Sequence, residues 1–121
     1  MLLIAGSLGI PHRSRAAERA NRIIRIAFVG PSSPSTIPQA VDAFWERLRD
    51  LGWVEERDFI IDAHWAHGDL HRLQSLMDEA VKRGPDIMVT YTTAAGLAAK
   101  RATATIPIVN AMMGDPVRTG L

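Results

Sequence analysis

The chain has 121 residues, 47% apolar and 22% charged, which is ordinary globular usage and a length that suits one domain rather than two. A net charge of +1 gives no field strong enough to point to nucleic acid or an anionic membrane surface. The absence of cysteine excludes disulfide frameworks, thiolate metal sites and cysteine nucleophiles.

Residues 1–24 are expected to be a leader or tail ahead of a folded body at 25–121. Arg13, Arg15, Arg19 and Arg22 stand there against Glu18 alone, a local balance of +3 that leaves −2 for the rest. Leu2–Ile10 is an apolar run far short of the ~20 residues that cross a bilayer. It could be the hydrophobic part of a secretory signal, although no basic stretch precedes it; a clipped start and a disordered tail are the other readings.

The body opens on Ile26–Val29, an unbroken apolar run stopped by Gly30-Pro31, the pattern of a strand buried on both faces. A turn-forming stretch, Pro31 to Thr36, leads to a helix over Pro38–Leu51. Val41, Phe44, Trp45, Leu48 and Leu51 form its apolar stripe, Ser35 or Thr36 caps its start, and Gly52 supplies a left-handed stop. Asp58–Trp65 reads as a second strand with Phe59, Ile61, Ala63 and Trp65 on one face. Its alternation suits an edge or near-edge place. The spacing of Leu70, Leu73, Leu76, Met77, Ala80 and Val81 predicts a helix over Leu70–Arg83, capped by Asp69 and ended by Gly84-Pro85. Ile87–Val89 is a third strand, Ala94–Thr103 a helix with alanine on its buried side, and Ile106–Val109 a fourth strand.

The order β-α-β-α-β-α-β, with crossovers of this length, requires parallel strands and right-handed connections. The predicted fold class is therefore α/β, a three-layer parallel sheet with helices on both faces.

Open α/β sheets bind ligands at the carboxyl ends of their strands. Three loops qualify: Gly30–Ser35, Tyr91–Thr93 and Met112–Asp115. Ser32 and Ser33 can donate to a ligand or simply make a turn. Thr92 and Thr93 open a helix, so they cap it, and the first-turn N–H groups there favour a carboxylate. Gly114-Asp115 could supply a ligand contact, a cap or a base. The pattern contains neither a dinucleotide-binding glycine loop nor a Walker loop, so no nucleotide cofactor is expected. Asp115 has no paired nucleophile or second carboxylate, which speaks against an enzyme. His64, His67 and His71, with Asp62 and Asp69, have a spacing zinc could use, but solvated histidines around a turn are the better reading and no metal site is expected. Trp45, Trp53 and Trp65 are expected in the core or at its edge.

Phe44-Trp45-Glu46-Arg47-Leu48-Arg49-Asp50-Leu51-Gly52-Trp53-Val54-Glu55, the turn His64-Trp65-Ala66-His67-Gly68-Asp69, the strand Pro85–Val89, and above all Thr93–Val109 followed by Gly114-Asp115-Pro116-Val117 resemble the ABC-transporter substrate-binding proteins of the tryptophan/tyrosine-binding type. The resemblance covers residues 25–121. It implies part of one lobe of a two-lobed, periplasmic-binding-protein type I fold, flavodoxin-like in layout. It also implies an extracytoplasmic place, an amino-acid-like ligand held between lobes, and a membrane permease as partner. Carried over, Ser32, Ser33, Tyr91, Thr92, Thr93, Gly114 and Asp115 would line the cleft, with Tyr91 narrowing it where the family has small residues. The rival readings are a flavodoxin-like enzyme domain, which lacks its phosphate loop, the effector lobe of a transcription regulator, which lacks a helix-turn-helix, and a truncated product without a function of its own.

Overall fold

The computed structural model describes residues 22–111. Its elements run β1 (Ile24–Gly30), α1 (Gln39–Asp50), β2 (Phe59–Trp65), α2 (Leu70–Lys82), β3 (Ile87–Thr90), α3 (Thr93–Ala102) and β4 (Ile108–Asn110), with a short 3-10 turn at Pro34–Thr36. Four parallel strands form one sheet in the order β2-β1-β3-β4. Among the described residues β2 is an edge strand, as its alternation predicts, and β4 is the other edge.

The continuous apolar run in β1 follows from burial on both faces. Ala27 and Val29 pack with Leu73, Met77 and Ala80 of α2 and Ala95, Ala98 and Ala99 of α3. Ile26 and Phe28 face the opposite way, onto Val41, Phe44, Trp45 and Leu48 of α1. The three layers are thus α2 and α3, sheet, and α1. The small side chains of α3 let that helix lie close to the strands, and Gly96 is buried with them.

Local chemistry sets the element ends. Asp69 accepts the His71 N–H at 3.0 Å and caps α2. Gly52 (φ +94°) and Gly84 (φ +68°) take the left-handed turns after α1 and α2. Gly30 ends β1 under the Trp65 ring of the neighbouring strand, which occupies the space a Cβ would need.

Several expectations are corrected. β1 begins at Ile24, so the last residue of the expected leader already belongs to the sheet. α1 starts at Gln39 after Pro38, with no side-chain cap; Ser33 and Thr36 bond each other around the 3-10 turn instead. β4 starts at Ile108, because Pro107 supplies its carbonyl to Met88 but has no N–H to continue a ladder inward. Trp45 and Trp65 do edge the core, packing on Phe28 at 5.7 and 5.3 Å, whereas Trp53 is 42% exposed. Leu51 and Val54, in the connection after α1, are exposed as well, and so is Ile60 on β2.

Candidate functional site

In a sheet ordered β2-β1-β3-β4 the chain winds to one side from β1 and then to the other from β3. The crevice between the carboxyl ends of β1 and β3 is therefore the topological switch point, where open α/β sheets receive ligands. The loop carrying Ser32 and Ser33 leaves β1 on one side of it. Tyr91, Thr92 and Thr93 leave β3 on the other.

Hydrogen bonds tie this rim together. Ala66, His67 and Gly68, just after β2, donate their N–H groups to the carbonyls of Gly30, Ser32 and Pro31 at 2.9, 2.8 and 2.9 Å. Thr90 Oγ1 donates to the Val29 carbonyl at 2.6 Å, within the core. Ser32 Oγ bonds the Tyr91 hydroxyl. From β4, Asn110 Nδ2 donates to the Thr92 carbonyl at 2.7 Å. Sequence reasoning did not select Asn110; its position at the carboxyl end of a short strand is the signal that could have found it.

Thr92 caps α3 through its hydroxyl, which accepts the Ala95 N–H at 3.3 Å. Its backbone sits at φ +78°, ψ 153°, a region occupied almost only by glycine and costing roughly 1–3 kcal/mol for other residues. Such strain persists only where surrounding bonds enforce it, and the Asn110 and Ala95 bonds do so here. The start of α3, with the positive end of its dipole, therefore lies at this rim.

Ser32, Ser33, Tyr91, Thr92 and Thr93 are thus brought to one rim. Tyr91 reaches it from below: its ring is 2% exposed and stacks on Phe28 with centroids 6.0 Å apart. Gly114 and Asp115 lie outside the described residues.

The histidine expectation is corrected for one member. His64 is not a solvated side chain: it is 10% exposed on β2, with Nε2 3.3 Å from Asp62, which Arg83 also approaches at 3.5 Å. His67 and His71 are exposed. Among the described residues no three such groups come together to hold a metal ion. A hollow of about 510 Å³ lies elsewhere, lined by α1, the Trp53–Glu55 loop and the first half of β2, and no carboxyl-end loop lines it.

The family model of ABC transporter substrate binding proteins matches residues 25–121. A tyrosine-binding protein of Clostridioides difficile is 30% identical over 86 residues, which is 71% of this chain and 25% of that protein. Three solved structures share the fold. One is the ligand-free, open form of a substrate-binding protein with adhesive properties from Clostridium difficile (TM-score 0.74, 24% identity, 82% of this chain and 34% of that one). Another is an ABC domain from Streptococcus pneumonia in complex with L-Trp (TM-score 0.67, 21% identity, 83% and 34%). The third is a conserved domain protein of Vibrio cholerae (TM-score 0.71, 26% identity, 83% and 34%). The chain spans about a third of the length of these solved relatives and a quarter of the curated one.

Proposed function

This chain belongs to the ABC transporter substrate-binding protein family, and from that premise we propose that its rim is one wall of an amino-acid site in an import system. The observation that carries the reading is the placement of Ser32 and of Thr92-Thr93 on opposite sides of the β1/β3 switch point. Serine and threonine hydroxyls, together with the first-turn N–H groups of α3, suit the carboxylate of an amino acid. A tyrosine-binding relative and a neighbour solved with L-Trp support an aromatic amino acid as the ligand class. Ser33 belongs to the same wall.

The role is capture rather than catalysis: the rim offers hydroxyl and amide groups that hold a ligand, and among the described residues no acid and base are paired at it. A second lobe would complete the cleft, closure would trap the ligand, and a membrane permease would receive the closed form on the extracytoplasmic side.

Titration of the ¹⁵N-labelled chain with L-tyrosine and L-tryptophan tests this. Amide shifts are expected at Ser32, Ser33 and Thr92–Ala95, with a dissociation constant near ~1 mM, about −4 kcal/mol, because one wall supplies the contacts. Absence of shifts at the rim, or shifts confined to the hollow beside α1, would overturn the reading.

A further inference from the structure

Tyr91 is buried against apolar side chains, where a hydroxyl without a partner is costly. The ring is fixed by burial and by its stack on Phe28. Its hydroxyl partner is Ser32 Oγ, 59 residues away in sequence. The disposition of protons at this pair governs what Ser32 can offer to a ligand. A serine hydroxyl carries one proton and two lone pairs, and a phenol carries one proton of its own. With the Tyr91 proton placed on Ser32 Oγ, the Ser32 proton has two destinations. One is the Thr36 carbonyl at 3.4 Å, well beyond ordinary O–H···O distance. The other is a group entering the crevice, since Ser32 is only half-buried at the rim. A hydroxyl that accepts one hydrogen bond is polarised to donate a stronger one.

Resting on the reading that a ligand carboxylate meets the start of α3, we propose that Tyr91 is a positioning residue that acts through Ser32. It donates from the core to Ser32 Oγ and turns the Ser32 proton toward that carboxylate. Tyr91 thereby favours a carboxylate over an uncharged carboxamide without touching the ligand.

The test is NMR titration of the full chain and of Tyr91→Phe, Ser32→Ala and the double variant, each with L-tyrosine and with L-tyrosinamide, in which an uncharged carboxamide replaces the carboxylate. Tyr91→Phe keeps the ring and its stack. It is expected to weaken L-tyrosine binding by about three- to tenfold, the typical net value of one hydrogen bond, and tyrosinamide binding by less than about twofold. Ser32→Ala, a change at a half-exposed position, should lose at least as much on L-tyrosine, and the double variant no more than Ser32→Ala alone. Equal weakening of both ligands by Tyr91→Phe, or losses that multiply in the double variant, would overturn the proposal. Rim shifts that persist unchanged in all three variants would overturn it while leaving the amino-acid site standing. Absence of rim shifts in the unmodified chain would remove both.

Discussion

Replacing Thr92 by glycine and, separately, by alanine pulls apart two opposing contributions at the start of α3. At φ +78°, ψ 153° the threonine backbone carries roughly 1–3 kcal/mol of strain, while its hydroxyl caps the Ala95 N–H. Alanine keeps the strain and loses the cap, so Thr92→Ala should destabilise by about 0.5–2 kcal/mol. Glycine releases the strain. Against that release stand a few tenths of a kcal/mol for the cap and about 0.5–1 kcal/mol for the added freedom of the unfolded chain. Thr92→Gly should therefore lie between no change and a gain of about 2 kcal/mol, placing it about 2 kcal/mol above the alanine variant at mid-range. The bond from Asn110 Nδ2 to the residue-92 carbonyl is common to all three chains and cancels. Urea unfolding followed by tryptophan fluorescence reads the difference, because Trp45 and Trp65 pack on Phe28 in the core. With a slope near ~2 kcal/mol per molar urea, the two midpoints should differ by about 1 M. An alanine variant as stable as the glycine variant would refute the assignment of strain at Thr92.

Gly30→Ala places a methyl group in the space held by the Trp65 ring, where β1 and β2 run side by side; a loss of about 1–3 kcal/mol is expected in the same urea assay, and a neutral result would mean that Trp65 moves aside freely. The Asp58 carboxyl is held below its ordinary value of 3.8, chiefly by the Arg57 side chain and then by the Val54 N–H. A depressed carboxylate contributes stability that is present above the unfolded value and lost as pH falls through the folded one. Stability measured from pH 6 down to pH 2 should therefore fall less steeply in Asp58→Asn than in the unmodified chain, and identical slopes would contradict this. The effect should be small, because the pair is open to solvent and screened.

The apolar run Ile26–Val29, the helical stripes of α1 and α2, and the glycines after both helices were legible because burial on a face leaves a period in the residues that are buried. The rim residues Ser32, Thr92 and Thr93 were legible for a related reason: in a parallel α/β chain the loop after each strand lies at the carboxyl edge, whatever the lateral order. Less legible were features governed by exceptions to these patterns. Pro107 delays β4, Trp53 is exposed although apolar and aromatic, and His64 sits beside Asp62 on a half-buried strand instead of in solvent.

Taken alone, the order of elements determined an α/β architecture with parallel strands and a polar rim at one end, since short-range periodicity and crossover length suffice for both. Only the tertiary structure decided that β1 and β3 lie side by side as the switch point, that the buried Tyr91 reaches up to meet Ser32 at the rim, and that Asn110 holds the strained Thr92 peptide. Those outcomes depend on pairings between residues as many as 61 positions apart. No local pattern encodes which strand becomes whose neighbour; the competition for burial across the whole sheet does.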